Sequence, residues 1–226
     1  MKNVRVALAP LALVVMLTAC GGSSNPPAGG GAPAVNPGGS SVPTKPGHTP
    51  HSKPASTPTP VPAQQPVPAE NNPPGDIPDN TQFVPYTSKA GGFTVTVPEG
   101  WSRKIHGSSV TFTDKLNTIN VTWQDASKAP TTKSANSTEV PQLKQTQLAF
   151  RLGSVKTASL PAGNSVVIDY QANSQPNAVT GKQYRLDVLR YELFNNGKEI
   201  AINLLSPVGA DNVDPWNTVT QGFKWA

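Results

Sequence analysis

Hydrophobic and polar residues alternate with a period of two over much of the C-terminal part of the chain. Phe93, Val95 and Val97 alternate with threonines, which is the pattern of a half-buried β-strand. Pro-Glu-Gly at residues 98–100 ends this strand in a turn, and Trp101 begins the next one. Similar runs predict strands at residues 110–112, 119–123, 155–160, 166–170, 184–194 and 199–205.

Two turn signals predict how these strands pair. Asp-Lys-Leu-Asn at residues 114–117 joins two strands into a hairpin, and Asn-Asn-Gly-Lys at residues 195–198 is the clearest hairpin turn in the chain. The strand at 184–194 carries apolar residues on both faces, which favours a bulge or helices that cover both faces. Sequential hairpins predict an antiparallel sheet.

Two segments have helical spacing. Ser137 or Thr138 is the expected cap of a helix that runs to about residue 152. At the C-terminus, Asp211 or Asn212 is the expected cap of a short helix that ends near Gly222. Its apolar positions are Val213, Trp216, Val219 and Phe223. Residues 85–226 are therefore expected to form one α+β domain, an antiparallel β-sheet flanked by helices.

The N-terminus has a different pattern, typical of an export signal. Lys2 and Arg5 precede an apolar run at residues 6–16. This run is shorter than the roughly 20 residues that span a bilayer, and it matches the hydrophobic region of a signal peptide. We therefore expect residues 1–19 to be a signal peptide.

The end of this signal predicts a lipid anchor. Leu-Thr-Ala-Cys at residues 17–20 resembles the lipobox of bacterial lipoproteins. The resemblance implies that Cys20 is lipidated, becomes the mature N-terminus and holds the chain on the extracytoplasmic face of the cell membrane. Two or three acyl chains anchor a protein stably, whereas one holds it only marginally. Because Cys20 is the only cysteine, the chain has no internal disulfide and no thiol nucleophile.

Residues 20–84 are expected to form a disordered linker. Pro, Gly, Ser, Thr and Ala dominate the stretch, and the few apolar residues cannot bury enough surface to offset the entropy of ordering. Its Pro-rich part favours extended polyproline II. Candidate O-glycosylation sites are Thr44, Thr49, Ser56, Thr57 and Thr59. His48 and His51 lack the further ligands that a metal site needs.

The distribution of charge argues against a nucleic-acid partner. The formal net charge is +5 and the pI is about 9.4, but the basic residues are dispersed. The longest basic run in the domain is Arg103-Lys104. We therefore expect no nucleic-acid site and at most a weak attraction to anionic surfaces.

One motif in the domain resembles a known family. The run Gly-Gly-Phe-Thr-Val-Thr-Val-Pro-Glu-Gly-Trp at residues 91–101 is similar to the opening strand and turn of the PsbP-like superfamily. With the lipobox and the Pro-rich linker, the whole chain resembles actinobacterial lipoproteins of the LpqN type. This resemblance implies an α/β/α sandwich that is used for binding or assembly. The matching positions are core and turn positions, so no functional residue is carried over.

The domain has few candidate catalytic groups. His106 lies in a predicted turn, without the Gly-x-Ser-x-Gly elbow of a serine hydrolase. The carboxylates are scattered, with Asp114 and Asp125 at turns and Asp169 and Asp187 in strands. Asp211 and Asp214 are explained by helix capping. The aromatic residues Trp101, Trp123, Trp216 and Tyr191 could line a cleft, but core packing is the more common role.

These patterns predict a non-catalytic binding or accessory module at the cell surface. We expect a monomer without a cofactor or a metal. It would contact the membrane through the lipid on Cys20, and a cell-wall or protein partner through residues 85–226. Two alternatives stay open, a lipid or glycolipid carrier with an apolar pocket and a cell-wall hydrolase or transferase.

Overall fold

A computed structural model describes residues 61–71 and 74–226, and these residues contain ten strands and three α-helices. The strands are β1 (Phe83–Ser88), β2 (Phe93–Pro98), β3 (Ser102–Ile105), β4 (Ser109–Asp114), β5 (Asn117–Asp125), β6 (Arg151–Leu160), β7 (Gly163–Asn173), β8 (Arg185–Asn195), β9 (Lys198–Pro207) and β10 (Lys224–Trp225). The helices are α1 (Thr132–Ser134), α2 (Val140–Thr146) and α3 (Val213–Gln221), with a π-helix at Ala135–Glu139 between α1 and α2.

Seven strands form the main sheet, in the order β3-β4-β5-β9-β8-β7-β6, and all neighbours are antiparallel. Both predicted hairpins are present. In the β8–β9 turn, Asn196 and Gly197 have positive φ angles of 48° and 79°, as a two-residue turn that follows the strand twist requires.

One face of the main sheet packs against a second sheet, which has the order β1-β2-β10. The residues that alternate inward from β2, β4, β5 and β9 form the larger core together with α3. Its members include Phe93, Val95, Val110, Ile119, Val121, Ile200, Ile202, Leu204, Val219 and Phe223, each with no measurable exposure. These side chains fill the space between the two sheets.

The opposite face is covered over β6, β7 and β8 by the helical segment 132–146. Ala135 packs there with Val166, Ile168 and Tyr170 of β7. The predicted helix at 138–152 is shifted. Thr131, and not Ser137 or Thr138, is the N-cap, since it forms a capping box with Ser134. The chain becomes extended at Gln147 because residues from Arg151 onward pair with β7.

The C-terminal helix lies where it was predicted. It follows Asn212, and Gly222 is its C-terminal cap. Trp216, Val219 and Phe223 are buried, whereas Val213 is 66% exposed. Asn212 makes no side-chain cap to its own helix, because its amide binds the chain before β1.

The ordered chain begins before residue 85. The predicted boundary falls inside β1, and Ile77 lies in the larger core. Asn212 Oδ1 accepts a hydrogen bond from the Ile77 N–H at 2.8 Å, and Asn212 Nδ2 donates to the Gly75 carbonyl at 2.9 Å. Asn117 Nδ2 donates to the same carbonyl at 2.7 Å. A Cβ at Gly75 would lie 2.8 Å from Pro207 Cδ, so the backbone approaches there as only glycine permits.

The architecture confirms the α+β prediction of an antiparallel sheet with flanking helices. One layer of the observed structure differs from the expected α/β/α sandwich. This layer consists of the small sheet and α3, and not of helices alone. β8 carries apolar residues on both faces because it is covered on both sides, and its own pairings contain no bulge. Of the helices in residues 61–71 and 74–226, none has the length and apolar content needed to cross a membrane.

Candidate functional site

Half of one main-sheet face is polar. The register places Thr111, Thr113, Thr118, Asn120, Thr122, Gln124 and Asn203 on the side opposite the larger core. Six of these seven side chains are partly exposed, and Asn120 is buried. We call these seven residues the polar half-face. It adjoins the half that the helical segment covers.

A row of hydrogen bonds runs across four adjacent strands of this face. Arg190, Asn203, Asn120 and Thr111 are direct register partners on β8, β9, β5 and β4. Arg190 Nη1 donates to Asn203 Oδ1 at 3.2 Å, and Asn203 Nδ2 donates to Asn120 Oδ1 at 3.2 Å. Asn120 Nδ2 donates to Thr111 Oγ1 at 2.8 Å and to Ser109 Oγ at 2.9 Å. These bonds hold the polar side chains in fixed orientations.

Three carboxylates surround the Arg190 end of this row. Glu192 is fully buried, and its Oε1 accepts from Arg190 Nε at 2.7 Å. Glu199, on β9, is 8% exposed, and Glu139, at the end of the π-helix, is 9% exposed. Oε2 of Glu139 and Oε2 of Glu192 are buried without a hydrogen-bond partner among the described residues. We call Glu139, Glu192 and Glu199 the carboxylate cluster.

Burial and mutual repulsion favour the protonated forms of two cluster members. Burial, with the charge of Glu192 second, raises the pKa of Glu199 from 4.5 to about 7. The same two causes raise the pKa of Glu139. Burial raises the pKa of the neighbouring Tyr170 to about 12. One guanidinium cannot balance three buried carboxylates, so protons on Glu139 and Glu199 reduce an otherwise costly net charge.

The geometry restricts what the cluster can bind. Within the described part of the chain, no group of three or more His, Cys, Asp or Glu side chains is arranged to hold a metal ion. A carboxyl with a pKa near 7 has the acidity of a general acid–base group. The polar half-face beside it offers hydroxyls and amides, which donate and accept hydrogen bonds.

Several predicted sites lie outside the described residues. These are the signal peptide at residues 1–19, Cys20 with its lipid, the two linker histidines His48 and His51, and the five glycosylation candidates. Lipidation of Cys20 therefore stays a prediction.

The scattered catalytic candidates are not brought together into one site. His106 is exposed in the turn between β3 and β4, and Asp114 and Asp125 are exposed at strand ends. Asp187 Oδ1 accepts from Gln171 Nε2 at 2.8 Å on β7. Asp211 is exposed, and its backbone N–H donates to Asp76 Oδ1 at 2.9 Å. Asp214 lies in the first turn of α3.

The aromatic residues belong to the larger core. Trp216 is buried, and Trp101, Trp123 and Tyr191 pack against this core from its margin. The rings of Trp101 and Trp216 meet edge to face at 6.4 Å, and those of Phe93 and Trp123 at 5.7 Å. These contacts explain the aromatic residues by packing.

The sequence reasoning missed the carboxylate cluster. A signal was present in the strand at 184–194, where Arg190 and Glu192 interrupt a run of apolar residues. Residues two apart lie on the same face of a strand, and a charged pair in a doubly covered strand indicates a buried ion pair. The contribution of Glu139 depends on how the π-helix approaches the sheet, which the local sequence does not specify.

Comparisons with known proteins find similarity to solved structures only. No protein-family model matches the chain, and no curated protein sequence matches it. The chain is similar to cyanobacterial PsbP from Synechocystis sp. PCC 6803, with 17% identity and a TM-score of 0.48 over 69% of this chain and 100% of that chain.

Two further structures have the same kind of similarity. The Ran-binding protein Mog1p of Saccharomyces cerevisiae has 11% identity and a TM-score of 0.44, over 65% of this chain and 96% of that one. LpqN of Mycobacterium tuberculosis, involved in cell envelope biogenesis, has 13% identity and a TM-score of 0.41, over 65% of this chain and 91% of that one. At these values the similarity assigns no function to this chain.

Proposed function

We propose that the chain is a lipid-anchored, extracytoplasmic, non-catalytic binding module whose partner docks on the polar half-face. The row of hydrogen bonds from Arg190 to Thr111 is the observation that carries this proposal. A sheet face that is polar, partly exposed and held in one arrangement loses little side-chain entropy on binding. Its hydroxyls and amides suit a partner rich in hydrogen-bonding groups, such as a polar protein surface or a cell-wall polymer.

The docking surface is tested with two matched arginine variants. Thr122→Arg places a long charged side chain in the middle of the polar half-face, on β5. Thr157→Arg places the same side chain on β6, at the far edge of the same sheet, where Thr157 is exposed. Crosslinked complexes captured from intact cells should be lost with Thr122→Arg and retained with Thr157→Arg. Loss with both variants, or with neither, would contradict the proposed surface.

The anchor is tested separately. Cys20→Ser removes the only thiol and so prevents thioether lipidation. The variant should lose metabolic labelling with palmitate, and any variant chain that has lost residues 1–19 should move from the membrane fraction to the soluble extracytoplasmic fraction. Unchanged membrane retention of an unlabelled Cys20→Ser chain that has lost residues 1–19 would show that a lipid on Cys20 does not hold the protein.

A second function class has one observation in its favour. Glu199 has a pKa of about 7 and adjoins the exposed polar residues, as a general acid–base group of a hydrolase would. Such an activity on cell-wall material should fall at least 100-fold in Glu199→Gln. The binding module instead retains its crosslinked complexes in this variant, so a single substitution separates the two functions.

The carrier alternative has less support in the described residues. Its apolar pocket would require open space against an apolar sheet face. The apolar side chains of one face are packed against the small sheet and α3, and those of the other are packed against the helical segment. Purification of the full chain followed by lipid extraction tests this alternative, which requires a bound lipid at near-stoichiometric yield.

A further inference from the structure

The last part of the Pro-rich linker lies along the domain with a period of three. In residues 61–70, which we call the strap, Val61, Gln64, Val67 and Glu70 are partly buried, and the six residues between them are exposed. Polyproline II has three residues per turn, so one edge of such a helix faces the domain. The strap is therefore bound as an extended peptide with one recognised edge.

Each inward residue of the strap has a polar partner on the domain. The Val61 N–H donates to the Gln145 carbonyl at 3.0 Å. Gln183 Nε2 donates to Gln64 Oε1 at 3.1 Å. Lys182 forms an ion pair with Glu70. The side chains recognised are thus a hydrogen-bond acceptor at one position and a carboxylate six residues later.

Asn173 recognises the main chain of the strap at two atoms. Its Oδ1 accepts from the Val67 N–H at 3.1 Å, and its Nδ2 donates to the Gln65 carbonyl at 2.9 Å. Every residue except proline carries both backbone groups, so this contact tolerates many side chains but requires an N–H at the position of Val67. Proline lacks that N–H.

Arg185 also holds the Asn173 side chain from within the domain. Asn173 is 5% exposed, and Arg185 Nη1 donates to its Oδ1 at 3.1 Å and to the Ala149 carbonyl at 2.8 Å. Arg185 is itself 6% exposed, and its Nη2 has no partner among the described residues. A side chain that the domain orients through Arg185 and that pairs with a peptide backbone is a feature of a binding site.

We propose that Asn173, Gln183 and Lys182 form a docking site for extended Pro-rich segments of a partner protein. The strap fills this site from within the chain. A partner segment needs a hydrogen-bond acceptor, a residue with a free N–H and a carboxylate at spacings of three, in the order of Gln64, Val67 and Glu70. The site involves none of the polar half-face residues, so it stands independently of the proposed function.

The strap contacts are more exposed than those that follow it along the chain. The hydrogen bonds to the strap are partly buried and the Lys182–Glu70 ion pair is partly exposed, whereas Asn212 and Asn117 bind Gly75 and Ile77 through buried hydrogen bonds. Partly exposed segments open with low free energies. A partner therefore has to displace only the strap and leaves the fold intact.

The experiment uses two matched full-chain variants and one peptide probe. Gln64→Ala with Val67→Pro removes the inward hydrogen bonds of two strap residues, whereas Gln65→Ala with Ala69→Pro makes the same changes on the exposed edge. A fluorescein-labelled peptide with the sequence of residues 61–70 is titrated with each chain, and anisotropy is measured. We expect at least tenfold tighter binding to the inward variant than to the wild type or the control variant, and loss of this binding when Asn173→Ala is added.

Three results would overturn the site. They are equal affinity for all three chains, unchanged binding after Asn173→Ala, and equal binding of a probe that carries proline at the Val67 position. Concentration-dependent dimerisation of the wild type that Gln64→Ala with Val67→Pro abolishes would assign the site to the strap of a second copy and so overturn the assignment to a partner protein. Circular dichroism melts of each variant exclude unfolding as a cause.

Discussion

The Glu199 carboxyl is buried and ionisable, and the free energy of unfolding therefore depends on pH. This carboxyl lies on β9 beside Glu192 and Arg190, and its pKa is raised to about 7 by burial and by the charge of Glu192. In the unfolded chain the pKa returns to about 4.5. Between these values the folded state binds more protons than the unfolded state does.

The sign of the effect follows from this difference. The free energy of unfolding should fall as pH rises from about 5 to 8, by up to about 3 kcal/mol from Glu199. In Glu199→Gln the fall should be much smaller, because glutamine keeps the shape without the charge. Urea unfolding at several pH values measures the free energy of unfolding of wild type and Glu199→Gln. The control is Glu99→Gln, at an exposed turn position. Parallel pH profiles for wild type and Glu199→Gln would contradict the burial of this charge.

At the scale of elements, the sheet could be predicted better than the helices. The alternation of Phe93, Val95 and Val97 and the Asn-Gly turn depend on local chemistry, so both hairpins and most strands were predicted. β6 was predicted from residue 155 but begins at Arg151, because its first residues are mostly exposed and lack an apolar period. The short strand β10 depends on pairing with β2, which the sequence does not signal.

The helical segment 132–146 begins earlier than its apolar pattern indicates. Thr131 Oγ1 accepts from the Ser134 N–H at 3.0 Å, and Ser134 Oγ accepts from the Thr131 N–H at 2.9 Å. The π-helix that follows shifts the apolar period, so Ser137 and Thr138 resembled a cap. A wider helical turn moves side chains out of the register that a period of 3.6 assumes.

Two threonine variants distinguish the observed cap from the predicted one. Thr131→Ala removes the capping box and should reduce the free energy of unfolding by about 1 kcal/mol. Thr138 lies inside the π-helix, so Thr138→Ala should change the free energy of unfolding by less than about 0.5 kcal/mol. Chemical denaturation of both variants provides the comparison. A larger loss for Thr138→Ala would support the sequence-based assignment of the helix start.

At the scale of the whole molecule, the domain is longer than its composition suggests. Pro and Gly dominate the chain up to residue 84, so the sequence favoured a linker up to that point. The structure places Ile77 in the larger core and binds Gly75 through two asparagine side chains. The Asn212 contacts join residues about 135 positions apart, the Asn117 contact joins residues 42 positions apart, and no local pattern encodes them.

Asn212 connects the start of the domain to its end. Asn212→Ala leaves the Ile77 N–H without its acceptor and removes one donor from the Gly75 carbonyl. We expect a loss of about 2 kcal/mol in the free energy of unfolding. Asn217→Ala, an exposed position on α3, should cost less than about 0.5 kcal/mol. Equal stability of the two variants in urea would show that residues 75–77 contribute little to the fold.

Sequence-based prediction of the candidate site is likewise limited by its long-range contacts. Polar residues on β4 and β5 alternate with the core and could be assigned to one face from the sequence alone. Their alignment with Asn203 and Arg190 depends on the register of four strands, and the carboxylate cluster also depends on where the π-helix lies. Sequence reasoning therefore predicts a polar face but not the row of hydrogen bonds that fixes it.

Site-specific photocrosslinking tests the polar half-face as a docking surface most directly. A photoreactive amino acid replaces Gln124 on the polar half-face in one chain and Lys156 on β6 in another, and intact cells are irradiated. We predict a discrete crosslinked species from position 124 that is absent from position 156 and disappears when Thr122→Arg is added. Crosslinks of equal yield from both positions, or a position-124 crosslink that survives Thr122→Arg, would contradict docking on this face.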